Sequence, residues 1–196
     1  MLPFSQLSIV NQVLLEIGRL PVTNINDSPD AQLISAKIDL LLPVLLQETH
    51  WNFAIKYRSD NTPLTTQFSP DYNYSYQLPS DYGHMFNWGN FNNNFSDPGA
   101  QPFLITDGII NSNSQPINYY YIVKNVDPDA LSVMFFRTLV LFTASDVSLA
   151  LTENQELTSY LRQKYEMEKS RAVMRNDMEF YKTTTPYNDY DRTTLV

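Results

Sequence analysis

The sequence predicts an α+β fold: a helical bundle of about four helices, drawn from both ends of the chain, around an inserted antiparallel β-rich portion, with an extended C-terminal tail. Three observations predict it. Apolar residues recur at helical spacing in residues 1–50 and again in 127–182. Between them, residues 51–126 alternate apolar and polar side chains in short runs. The composition also changes there: from Ser59 to Val123 there is no Lys or Arg, but five Asp, ten Asn and thirteen aromatics.

In the first helix Leu7, Val10, Val13, Leu14 and Ile17 form the apolar stripe. Ser5 is placed to cap its start, and Gly18 sits where a left-handed residue would end it. The second helix opens with Ser28 as cap, Pro29 in the first position and Asp30 at the positive end of the dipole. It is expected to run to about Thr49. Leu33, Leu40, Leu41, Val44 and Leu45 mark one broad face, and Ile34, Ile38, Leu42 and Leu46 widen it almost all round. A helix apolar on several sides is central or lies between subunits. Pro43 should kink it, because it removes one backbone hydrogen bond.

In the middle portion, strands are expected at Phe53–Tyr57, Tyr72–Leu78, Phe103–Thr106 and Pro116–Val123. Ile117, Tyr119, Tyr121 and Val123 share one face of the last. Asp107-Gly108 between Phe103–Thr106 and Ile109–Ile110 is a hairpin signal. His84 is expected in a loop after Gly83, and the Asn-rich stretch 87–100 reads as a long loop. The third helix should start at Asp127-Pro128-Asp129 and carry Leu131, Phe135, Leu139, Phe142 and Leu149. Thr152 and Gln155 suggest a capping box for the fourth helix. That helix should run to about Met178, with Leu157, Leu161 and Tyr165 inward. Residues 183–196 have no periodicity and are expected to be extended.

The chain of 196 residues is 43% hydrophobic, enough to bury a core, and only 17% charged, with a net charge of −8. Such acidity argues against general nucleic-acid or anionic-membrane binding, which need clustered cations. The longest apolar run, Leu40–Leu46, is too short to cross a membrane, and the N-terminus lacks the basic stretch of a signal peptide. The lack of Cys excludes disulfides, thiolate catalysis and Cys-ligated zinc.

No residue pattern demands a cofactor or a metal. Glu48 and His50, two residues apart, diverge on a helix and form no HExxH pair. Asp127 and Asp129 are explained by helix capping. Glu153 and Glu156 are the one carboxylate pair to weigh for glycoside hydrolysis, and both fit a first helical turn. The five glycines form no phosphate-cradling loop. The aromatics of the middle portion suit a core or an interface; a sugar platform of Tyr72, Tyr74 and Tyr76 is the rival reading.

Three segments, in order, resemble one family. They are Ile17-Gly18-Arg19-Leu20-Pro21-Val22, then Trp51-Asn52-Phe53-Ala54 after a long apolar helix, then Tyr74-Ser75-Tyr76-Gln77-Leu78-Pro79-Ser80-Asp81-Tyr82. Together they resemble the head-to-tail adaptors of short-tailed bacteriophages, the tail tubular protein A family. The strand Tyr119–Val123 and the C-terminal helical hairpin fit that layout, and the resemblance spans nearly the whole chain. The Asn-rich stretch 87–100 departs from it.

The resemblance implies a non-enzymatic structural protein of the virion tail, assembled in the host cytoplasm. It would form a dodecameric ring that joins the portal to the tail and continues the DNA ejection channel. Its partners would be further copies of itself, the portal protein, the tail nozzle or next tail ring, and tail fibres. DNA would pass without specific binding, and no membrane is implied. Portal contacts are then expected from Pro186, Tyr187, Asn188, Tyr190, Asp191, Arg192 and Leu195. Leu41, Val44, Leu45, Trp51 and Phe53 would serve the core or inter-subunit packing. Trp88, Phe91 and Phe95 would contact another tail component. An extended tail of residues 183–196 would reach roughly 45 Å. The alternatives are a virion-associated muralytic enzyme and a carbohydrate-binding module.

Overall fold

In the computed structural model, residues 5–88, 103–126 and 130–184 are described, the side chains of 87–88 and 180–184 excepted. The fold is α+β. Its helices are α1 (Gln6–Glu16), α2 (Pro29–Glu48), α3 (Val133–Thr152) and α4 (Gln155–Thr184). Its strands are β1 (Ile55–Asp60), β2 (Tyr74–Gln77), β3 (Tyr82–Trp88), β4 (Phe103–Thr106), β5 (Ile109–Ser112) and β6 (Ile117–Val123). The chain divides into two compact units. One comprises Met1–Leu45, Trp51–Phe53 and Asp127–Val196; the other comprises Leu46–His50 and Ala54–Val126.

In the helical unit, α3 packs against both α1 and α4. Ser5 caps α1 through a reciprocal pair with Ser8. At the other end Gly18 takes φ +76°, and the amides of Gly18 and Arg19 donate to Leu15 O and Leu14 O. These bonds satisfy carbonyls that a helix end otherwise leaves open. Arg19 then donates to Leu151 O at 2.7 Å, and Asn11 holds the Val22 backbone through both its N–H and its C=O. The segment 17–22 thus closes α1 and ties it to the end of α3.

Ser28 caps α2 as expected, its hydroxyl accepting from Asp30 N. Pro43 lies inside α2 and does not end it. The buried residues of α2 are Ala31, Ile34, Ile38, Leu45 and Leu46, whereas Leu33, Leu40 and Val44 are exposed. The expected single face of Leu33, Leu40, Leu41, Val44 and Leu45 is therefore divided. Residues 33, 40 and 44 lie within about 40° of one another on the helix, and Ile34 and Leu45 lie roughly 100° away.

Three helix boundaries differ from expectation. Helix α3 starts at Val133 and is capped by Ser132, whose side chain accepts from Phe135 N at 3.1 Å. Residues 127–129 lie outside the described residues, and Leu131 and Ser132 after them are not helical. Thr152 is the last residue of α3 rather than a cap for α4. Glu153 turns the chain at φ +53°, and Asn154 caps α4 by accepting from Leu157 N. The carbonyl of Asn154 takes the first amide of the α4 ladder, from Thr158. Helix α4 continues to Thr184, past the expected end near Met178 and into the first residues of the expected tail.

Helix α3 is, by length and composition alone, apolar enough to cross a membrane, with a mean hydropathy of 1.5. Its place in the bundle accounts for this: Phe135, Leu139, Leu141, Ala144 and Val147 are buried there. Its two charges are both paired, Arg137 with Glu168 and Asp146 with Lys37. Trp51, expected in the inserted portion, belongs to the helical unit. It is 1% exposed, meets Phe135 edge-on at 4.8 Å and donates to Leu45 O. Burying so large a ring contributes about 2–3 kcal/mol.

The second unit contains two antiparallel three-stranded sheets, with orders β1-β6-β3 and β2-β5-β4. Strand β6 is central in the first, paired on either side with β1 and β3, and its face of Ile117, Tyr119, Tyr121 and Val123 is buried. The hairpin β4–β5 turns at Asp107 and Gly108, both with positive φ, as a two-residue turn requires. In the second sheet the interior is partly polar. Asn111 is fully buried, accepts from the Ser75 hydroxyl at 2.7 Å and lies beside Leu104 O. Strand β3 was not expected. Its register against β6 shifts twice, which breaks the alternation in the sequence. Gly83 is required there: a Cβ would lie 2.7 Å from Ile122 O.

Candidate functional site

Three surfaces carry chemistry. The first is on α4. Leu161, Tyr165 and Ala172 are buried, and a second stripe, Tyr160, Met167, Met174 and Met178, is exposed. Its spacing of seven, seven and four residues is that of a coiled-coil seam. Lys164 and Arg171 fall on the same stripe, with Arg175 beside it. They hold Glu16, Glu168 and Glu179 respectively. Beside the stripe, an open groove of about 600 Å³ runs along α4 between Glu166 and Met178 and shares Met174 and Met178 with it.

The second surface is the exposed side of α2. Leu33, Leu40 and Val44 are 38%, 66% and 46% exposed. Lys37, between them, pairs with Asp146 at 2.9 Å.

The third surface is the β1/β6/β3 sheet. Antiparallel register sets Lys56 beside Tyr121 and Arg58 beside Tyr119. Lys56 pairs with Asp81 at 2.7 Å, and the Tyr121 hydroxyl donates to the same carboxylate at 3.0 Å. Arg58 pairs with Asp60 at 3.0 Å. The hydrogen bond from Lys56 holds the Asp81 carboxyl below its usual range, against the effect of burial. Burial pushes the Tyr119 hydroxyl up to about 12. Burial, followed by the bond to Asp81, pushes Tyr121 up to about 12 as well. Each cation here is matched by an acid, so the arrangement is that of a neutralised, hydrogen-bonded sheet face. On β3, His84 is half-buried and held below its usual range by burial, then by His50. His50 lies two residues past α2, its ring 4.6 Å from that of Phe86.

The expected site residues are distributed as follows. Leu45 and Trp51 are core, and Leu41 and Phe53 are half-buried. Val44 faces outward with Leu40. Trp88 ends β3 with its backbone opposite Tyr119, so it lies in a strand rather than a loop. Phe91 and Phe95 lie outside the described residues, as do Pro186, Tyr187, Asn188, Tyr190, Asp191, Arg192 and Leu195. Glu153 is exposed on the short turn into α4, and Glu156 is exposed in the first turn of that helix. The platform of Tyr72, Tyr74 and Tyr76 does not form. Tyr76 is 1% exposed and its hydroxyl donates to Ser114 O. Among the described residues, no group of three His, Asp or Glu side chains is placed to hold a metal ion. Sequence reasoning missed the α4 stripe. The signal was its heptad spacing, hidden by the charges interleaved with it.

Comparison with models of known protein families gives no match, and comparison with curated proteins gives none either.

Proposed function

We propose that this chain is a ring-forming connector of a short-tailed bacteriophage, a structural protein of the virion tail without catalytic activity. The observation that carries the proposal is the exposure of two apolar stripes on different helices of one unit. Residues 33, 40 and 44 of α2 make one, and residues 160, 167, 174 and 178 of α4 make the other. A subunit in a cyclic ring needs two unlike faces, one for each neighbour. Contiguous exposed apolar side chains mark contact surfaces.

The resemblance adds the context. Its first segment ties α1 to the end of α3, and its second supplies the buried Trp51. Its third segment runs from β2 of one sheet to β3 of the other, through the turn closed by Tyr82 N to Pro79 O. These are framework roles, as expected of motifs that define a fold rather than a reaction. In this reading twelve copies join the portal to the tail nozzle or next tail ring and to the tail fibres. The C-terminal residues reach the portal, and DNA passes through the channel without specific contacts. The stretch 59–123, acidic and without Lys or Arg, suits such a conduit, because a negative wall does not hold passing phosphates.

The test is mass under native conditions, for the chain alone and then mixed with a portal ring. A discrete large ring, or twelve copies added per portal, is the expected result. A chain that stays monomeric and ignores the portal overturns the reading.

A further inference from the structure

We infer that Asn52 and Asn176 are positioning residues: together they fix the direction in which α4 leaves the bundle and delivers the C-terminal residues to the portal. The inference rests on the connector reading above and adds the device that aims its portal contact.

The hairpin of α3 and α4 has unequal arms. Contacts across it set the register. Ser148 donates to the Thr158 hydroxyl at 2.8 Å, the rings of Phe142 and Tyr165 stack at 4.8 Å, and Arg137 pairs with Glu168. At that register Val133, the start of α3, lies level with about residue 173 of α4. Helix α4 runs on to Thr184, so a projecting arm of roughly 16 Å has no α3 beside it. Burial agrees: Ala172 is buried, whereas residues 174, 175, 177, 178 and 179 are exposed. A helical stretch that short is marginal in water unless something holds it. Arg175 pairs with Glu179 within the arm, but an exposed pair on one helix adds little and cannot aim it.

Asn176 is where the arm is held. It is 9% exposed, and two hydrogen bonds of 2.8 Å reach it from Asn52. The Asn52 main-chain N–H donates to the Asn176 Oδ1, and the Asn52 Nδ2 donates to the Asn176 main-chain O. The second bond grips the backbone of α4 itself. Two bonds at one residue restrain both tilt and rotation, where a single bond would leave the helix free to swing. Asn52 is a firm anchor because its neighbours on both sides are fixed. Trp51 is 1% exposed and donates to Leu45 O. The rings of Trp51 and Phe53 both meet Phe135 edge-on, at 4.8 and 5.0 Å. The direction of the arm is thereby referred to the core of the helical unit.

The chain has no Cys, so spin labels go only where they are placed. Leu149→Cys and Met178→Cys, both exposed, put one label at the end of α3 and one on the arm, roughly 30 Å apart at helical rise. Pulsed electron-electron resonance on the full chain should give one narrow distance distribution. Asn176→Ala should widen it about twofold or more, because the arm then opens locally. Asn52→Ala, which removes one of the two bonds, should widen it as well and decides the point if Asn176→Ala loses helix by circular dichroism. Asn176→Asp, which keeps the accepting Oδ1, should leave it narrow. Portal affinity, measured by co-sedimentation of the unlabelled chains, should fall about tenfold in Asn176→Ala, since an unaimed arm must be ordered on binding. Asn176→Asp should restore it. A distribution that stays narrow in both alanine variants overturns the clamp. Widening with unchanged portal affinity overturns the positioning role and leaves the connector reading standing. A parent chain that ignores the portal overturns the connector reading, and the portal role of the clamp with it.

Discussion

At the residue scale, burial in the β-rich unit shifts the titration of Tyr119, Tyr121 and His84. Tyr119 and Tyr121 lie on the buried face of β6, and both hydroxyls are pushed up to about 12. An unfolded tyrosine titrates near 10. Between those values the folded chain keeps protons that the unfolded chain has released. Their stabilising contribution is therefore complete below about pH 10 and is lost as pH rises toward 12. These two should ionise late, with Tyr76 and Tyr82, which burial also raises, and together with the loss of near-ultraviolet circular dichroism. If all thirteen tyrosines ionise near 10 with the fold intact, the burial of β6 is wrong. His84 acts in the opposite direction: held low by burial, it costs stability as pH falls below its usual range. The two histidines had no visible relation in the sequence, because 34 residues separate them and β3 was not legible.

At the element scale, helix ends decide how the bundle is cut. The sequence pointed to Thr152 as the cap of α4, since Gln155 follows at capping-box spacing. In the fold, the Thr152 hydroxyl donates back to Ser148 O at 2.7 Å, and Asn154 takes the capping role. Asn154→Ala should cost about 1 kcal/mol and lower Tm by about 2–4 °C, measured by thermal melting. Thr152→Ala, which removes a hydroxyl that donates to Ser148 O and accepts a longer bond of 3.3 Å from Asn154 N, should cost less. The reverse order would restore Thr152 as the cap. The start of α3 failed for a related reason. Asp127-Pro128-Asp129 has the composition of a helix start, and Ser132 had none of its emphasis, yet Ser132 is the cap. Several caps were available, and packing of Phe135 and Leu139 chose among them.

At the scale of the whole molecule, the proposed work is done at faces rather than in a cleft. Among the described residues the charged side chains of the β1/β6/β3 sheet are matched in pairs, and exposed apolar side chains lie along α2 and α4 as well as at Leu20, Tyr57, Phe68 and Leu104 outside the helices. The C-terminal residues carry the portal part of the proposal. Removing residues 185–196 should abolish binding to a portal ring while leaving Tm unchanged, read by co-sedimentation and by thermal melting. Unchanged binding would remove the tail from the interface. A fall in Tm of more than a few degrees would show that those residues stabilise the fold itself.

Local rules determined much of this protein. The α+β class, the caps Ser5 and Ser28, the left-handed Gly18, the hairpin at Asp107-Gly108 and the buried face of β6 all follow from backbone preference and periodicity. Tertiary structure decided what local rules leave degenerate. Helix α2 is apolar on several sides, so its sequence is compatible with more than one buried face. Contact with the rest of the bundle chose Ile34, Ile38 and Leu45 and left Leu33, Leu40 and Val44 outside. Strand β3 owes its place to pairing with β6 through two register shifts, and a shifted register erases the period that would announce it. Trp51 joined the helices because its ring found Phe135, far along the chain. In each case the deciding energy lies in a contact between distant residues, and no window of sequence contains both partners.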